Sequence, residues 1–151
     1  MRNIFRLLLI VVALGTGAAT AEAQPPPKVP RIGFLSATSP SAIAARVEAF
    51  RRGLRELGYV EGKTIVIEWR YAEGKLDRLS ELAAEQVGLK VDVIVSAGPP
   101  ITRAAKEATA TIPIVMAQDT DPVGNGFVAS LARPGGNITG LSTLLPEIGT
   151  K

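Results

Sequence analysis

Hydrophobic and polar positions along this chain follow two periods in turn. Compact apolar runs of strand type are separated by stretches in which apolar residues recur every three or four positions. Arg31 to Ser36 (RIGFLS) reads as the first strand, ending in the small polar loop Ala37-Thr38-Ser39. Ile43, Val47, Phe50, Leu54 and Leu57 then form the inward stripe of a helix. Ser39 is placed to cap it, Pro40 to open its first turn and Gly58 to stop it. On the outer face, Glu48–Arg52 and Arg52–Glu56 lie one turn apart, each pair worth about 0.3 kcal/mol.

The alternation continues. Thr64 to Arg70 (TIVIEWR) is a second strand, and Leu76, Leu79, Leu82, Ala83 and Val87 mark a second helix closed by Gly88. Val91 to Ala97 (VDVIVSA) is β-branched and apolar throughout, as expected of a strand buried on both faces of a parallel sheet. Gly98-Pro99-Pro100 stops that strand and opens a helix with Ile101, Ala104, Ala105 and Ala108 on one side. IPIVMA is the fourth strand. Pro122 to Leu131 reads as a short helix with Phe127, Val128 and Leu131 inward, Arg133 to Gly136 as a turn, and Asn137 to Ser142 as a fifth strand. Five strands alternating with four helices predict an α/β three-layer sandwich around a five-stranded, mostly parallel sheet with right-handed crossovers.

The ends read differently. Arg2 and Arg6, the apolar Leu7 to Leu14 and the small-x-small Ala21-Glu22-Ala23 have the order of a cleaved export signal, residues 1–23. The apolar run is shorter than the roughly 20 residues a membrane-spanning helix needs. Residues 24–30 (QPPPKVP) form an extended linker, 31–142 an α/β unit, and the last stretch, 143–151, reads as unfinished. The predicted product is exported and cleaved.

Charge adds little. Removing Arg2, Arg6 and Glu22 brings the 17 basic and 14 acidic residues close to balance. No Lys/Arg cluster is interleaved with aromatics, so nucleic acid is not an expected partner. The absence of cysteine and histidine excludes disulfides, thiolate chemistry and His or Cys metal sites. It also removes the commonest base for a serine nucleophile, which disfavours a hydrolase built on Ser36 or Ser96.

In a parallel α/β sheet, ligands bind outside the carboxyl ends of the strands. Ser36, Thr38, Ser96 and Gly98 all fall there, at or just before helix N-termini, where amides and the helix dipole favour an anion. Simple capping explains the same residues. Asp119 and Asp121 follow the fourth strand; Asp119 is the better candidate for a ligand amine, since Pro122 gives Asp121 a turn role. Trp69 beside Tyr71 invites ligand stacking, but an aromatic cover over the sheet edge explains it more simply. Gly124-x-Gly126-x-x-Ala129 has the form of a relaxed dinucleotide fingerprint in the wrong place, displaced from the strand end.

The ordered segments RIGFLS, AFRRGLRELGYVEGKTIVIEWRYAEGKLDRLSELAAEQV, VDVIVSAG, ATATIPIVMAQDTDPV and FVASLARPGGNITGLS resemble the amino-terminal lobe of periplasmic substrate-binding proteins of ABC transporters. The likeness runs from about Val29 to Leu145 and is nearest the branch with tryptophan- and tyrosine-binding members. It implies a type I binding-protein fold in which two lobes clamp a small organic ligand such as an amino acid. A permease in the inner membrane is the implied partner, with no chemistry on the ligand, no cofactor and no metal. By position it implies Ser36, Ala37, Ser96, Ala97, Gly98, Gln118 and Asp119 as first-lobe contacts, beside Thr38, and Gly140 to Ser142 as the hinge. The implied location is the periplasm. The chain ends where the second lobe should begin, with 143–151 the start of the crossover to it, so a truncation is expected. An exported sensor domain reporting to a membrane receptor is the alternative.

Overall fold

In the computed structural model, residues 28–143 are described, and the elements below lie within them; the expected export signal, most of the linker and nearly all of the expected crossover fall outside. The elements are β1 (Arg31–Ser36), α1 (Ala44–Glu56), β2 (Val66–Tyr71), α2 (Leu79–Gly88), β3 (Val93–Ala97), α3 (Pro99–Ala108), β4 (Ile114–Thr120) and β5 (Ile138–Thr143). Single 3-10 turns, Ser41–Ile43 and Leu76–Arg78, lead into α1 and α2. The five strands form one sheet in the order β2-β1-β3-β4-β5, every neighbouring pair parallel. The α/β reading of the sequence holds.

Alternation along β1 explains the layers. Phe34 packs with Ile43 of the first 3-10 turn, Val47 of α1, and Ile65, Ile67 and Val95. Leu35, pointing the other way, packs with Leu79, Leu82 and Ala83 of α2 and with Ile101 and Ala104 of α3. One helix thus covers one face and two cover the other. A third cluster joins Ile94, Ala105, Ile114 and Met116 to Phe127, Val128 and Ile138.

Helix ends correct three expectations. α1 closes in a Schellman motif, the Tyr59 amide donating to Leu54 O (2.8 Å) and the Gly58 amide to Arg55 O (2.9 Å). Leu57 is therefore already the cap and lies 75% exposed instead of continuing the inward stripe. Leu76, held in the 3-10 turn before α2, is exposed for a similar reason. α2 runs through Gly88, and Lys90, at φ 54°, makes the reversal. On the outer face Glu48 pairs with Arg51 at 3.0 Å, in place of the expected partner Arg52.

The segment from Pro122 to Leu131 is not a helix. One α-type turn forms, the Asn125 amide reaching Asp121 O at 2.9 Å, but Phe127 and Val128 both donate back to Pro122 O and break the ladder. Asp121 itself sits at φ 49° and its carboxylate accepts the Gly124 amide at 2.8 Å, a tight local turn. Phe127 and Val128 are buried as expected, whereas Leu131 is exposed.

Candidate functional site

A strand order of β2-β1-β3-β4-β5 reverses direction between β1 and β3, so their carboxyl ends open a crevice at the switch point. A cavity of about 280 Å³ lies there. Its walls are apolar, with Phe34, Ile43, Phe50 and Val95 from β1, the first 3-10 turn, α1 and β3. Its polar groups are Ser36, Thr38, Gln118 and Arg46. Of the residues singled out in the sequence, Ser36, Ala37, Thr38, Ala97 and Gln118 are brought together on this cavity. The Ser36 hydroxyl lies 3.2 Å from that of Thr38 and also accepts the Thr38 amide at 3.2 Å, which folds the β1–α1 loop over the cavity rim. Ser39 accepts the Ala42 amide at 3.4 Å within the 3-10 turn; α1 itself starts after Ile43 with no side-chain cap, so the expected Ser39 cap of this helix does not form.

Ser96, Gly98 and Asp119 lie elsewhere. Ser96 is fully buried with its hydroxyl 2.9 Å from Thr102 Oγ1, and Thr102 donates to Asp119 Oδ2 at 2.9 Å. Asp119 is 1% exposed, its other oxygen has no hydrogen-bond partner, and burial pushes its carboxyl above the ordinary range against the bonds from Thr102 and the Thr120 amide. The cause is a bulge. Ser96 pairs with Met116 but Ala97 with Gln118, so Ala117 is an extra residue in β4. Beyond it the alternation is shifted, and Asp119 joins Met116 on the α3 side of the sheet.

The α3 N-terminus is closed to an anion. Pro99 and Pro100 carry no N–H, and the amides of Ile101 and Thr102 donate to Gly98 O at 3.2 and 3.1 Å. The Gly98 amide itself donates to Gln118 O at 2.7 Å. The expectation of amide-bound anion at the Ser96 loop is therefore corrected: proline at both first positions removes the donors that helix starts ordinarily present.

Arg46 and Phe50 are cavity residues that the sequence reading missed. Arg46 stands three positions after Ile43 and four before Phe50, so helical geometry alone places it beside the inward stripe. The Trp69 reading falls to the bland side. Its indole donates to Glu61 Oε1 at 2.7 Å, its ring lies 4.8 Å from Phe34, and the Arg51 guanidinium stands 4.8 Å from its centroid. Burial opposes the charge on Glu61, yet the bonds from Arg51 and Trp69 outweigh it and hold that carboxyl below its ordinary pKa. Trp69 is thus pinned as the cover of the β2 edge. Among the described residues no cluster of acidic side chains could hold a metal ion.

Comparison with known proteins agrees with this geometry. The family model described as ABC transporter substrate binding protein matches residues 31–147. A tyrosine-binding protein of Clostridioides difficile is 34% identical over 118 residues, covering 78% of this chain and 34% of that protein. The chain thus spans about a third of the length of that relative. Among solved structures, the ligand-free, open form of a substrate-binding protein with adhesive properties from Clostridium difficile superposes with a TM-score of 0.72 at 30% identity, covering 78% of this chain and 40% of the other. A conserved domain protein from Vibrio cholerae gives 0.73 at 36% identity, with coverages of 79% and 40%. An ABC domain from Streptococcus pneumonia in complex with L-Trp gives 0.70 at 30%, with 76% and 39%. By sequence and by fold, the chain belongs to the family of ABC transporter substrate-binding proteins, which bind their ligands without chemistry.

Proposed function

We propose that this chain is the amino-terminal lobe of an exported solute-binding component of an ABC importer. Residues 1–23 act as its export signal, placing it in the periplasm, and an inner-membrane permease is its partner. The ligand is a small amino acid-like molecule with an apolar or aromatic body, held at the carboxyl ends of β1, β3 and β4. The observation that carries this reading is the cavity at the switch point, with aromatic and branched walls and a rim of hydroxyl and amide groups. The tyrosine-binding relative and the neighbour solved with L-Trp support the same ligand class. Gly140 to Ser142, on β5, serve as the hinge toward the second lobe.

Trp69, the single tryptophan, makes the test direct. Its ring contacts Phe34, which lines the cavity, so occupancy should alter its emission. Titration with L-tyrosine and L-phenylalanine, exciting tryptophan alone, should give a saturable change that L-glutamate does not. A flat response to every amino acid tried would end this reading. Export to a membrane receptor in place of a permease would show as capture of a receptor by the tagged protein, with no permease recovered.

A further inference from the structure

Among the described residues lining the cavity, Arg46 alone carries a charge, and it has no carboxylate for a neighbour there. Asp119, the acid that sequence position favoured, is turned beneath α3 and held by Thr102. The amides at the start of α3 are spent within the loop. The cavity therefore offers one cation, two hydroxyls and an amide to whatever enters, against walls of Phe34, Ile43, Phe50 and Val95. An anionic group on an apolar body satisfies that set; an ammonium group finds no opposite charge in it. A guanidinium grips a carboxylate through two parallel hydrogen bonds, which fixes orientation as well as charge.

We propose that Arg46 is the carboxylate receptor of this site, and that this lobe selects a carboxylic acid with an apolar body while leaving any amine on the ligand unread. The proposal rests on the cavity being the ligand site, as argued above. Ser36 and Thr38 sit on the same rim and add hydroxyl contacts to the bound acid.

The test uses three probes that differ in their charged groups: L-tyrosine, its deaminated acid hydroxyphenylpropanoate, and its decarboxylated amine tyramine. Backbone amide shifts of the chain, followed by NMR at millimolar ligand, read weak binding and locate it. Tyrosine and the deaminated acid should bind alike, with tyramine about tenfold weaker or worse, the scale of a lost hydrogen bond to a charged group. Arg46→Met should weaken the two acids by about tenfold and leave tyramine unchanged, while Arg46→Lys, which keeps the charge but not the fork, should fall between.

Equal binding of tyrosine and tyramine, or an Arg46→Met chain that keeps its tyrosine affinity with shifts still at Phe34 and Phe50, would overturn this assignment and leave the cavity as the site. If none of the three probes shifts the cavity amides of the unaltered chain, the ligand-site reading itself falls, and the assignment with it. Should Arg46→Met fail to fold, Arg46→Lys and the tyrosine–tyramine comparison in the unaltered chain decide the question.

Discussion

Asp119 shows how much one buried group adds to the behaviour of the chain. Its carboxyl is raised by burial above the ordinary value of 3.8, and Thr102 and Thr120 only partly counter that. Raised in the folded state, it binds its proton more tightly than in the unfolded chain, so its contribution favours folding at low pH and is lost as pH climbs through the folded pKa. Asp119→Asn keeps the acceptor for Thr102 and removes the titration. Its stability relative to the unaltered chain should therefore increase as pH rises from 4 to 7, in urea titrations at each pH; a constant difference would show that Asp119 is not raised. Gly33 makes a second case. A Cβ there would sit 2.4 Å from Gln86 Oε1, and Gln86 is fully buried and tied to Glu68 O at 2.8 Å. Gly33→Ala should cost roughly 1–3 kcal/mol, the usual toll of overpacking, seen as a lower urea midpoint at unchanged slope.

The least forgiving junction among the elements is between β4 and β5. Gly140 pairs with Met116 at φ 139°, and a Cβ would lie 2.2 Å from Met116 O, which is backbone and cannot swing aside. Gly140→Ala should detach β5 while the remaining strands stay paired. Hydrogen exchange would show this as lost amide protection across Ile138–Thr143 with β1 and β3 still protected. Protection retained along β5 would mean that β4 can move to make room. Three of the four expected helices were legible because their stripes are long and their stops are explicit. The fourth was not, since Phe127 and Val128 carry the apolar signal of a helix while hydrogen bonds back to Pro122 O decide the backbone. Periodicity records which residues are buried, and a tight turn can bury two neighbours as well as a helix can.

Across the whole molecule the covering of the sheet is unequal. Among the described residues α1 alone packs on one face, with Ala117 and Leu141 exposed toward the β5 side. The two outer strands also differ in chemistry. β2 carries Glu68 and Arg70, tied into a chain of ion pairs with Arg31 and Glu85, whereas β5 (ITGLST) has no charge at all. Uncharged outer strands invite pairing between copies, and a lysine placed there is a common guard. Leu141→Lys should accordingly reduce concentration-dependent association of the chain in light scattering. Unchanged association would place the contact elsewhere on the molecule.

The sequence by itself determined the α/β class, the order of the strands along the chain and the loops that reach the crevice. These follow from local facts: β-branched runs, helical stripes, and Pro and Gly stops. It also placed Ser36, Ala37, Thr38, Ala97 and Gln118 at the strand ends, where the structure gathers them on one cavity. Only the tertiary structure decided which polar groups face that cavity. One extra residue, Ala117, shifts β4 by half a pleat and carries Asp119 to the far side of the sheet, and a bulge of that kind leaves no periodic trace. Arg46 entered the site by the converse route: standing beside the inward stripe of its helix, it became a lining residue because α1 packs beside the open end of β1 and β3. Side-chain chemistry is written residue by residue, but the face it is shown to depends on pairings between strands distant in the chain.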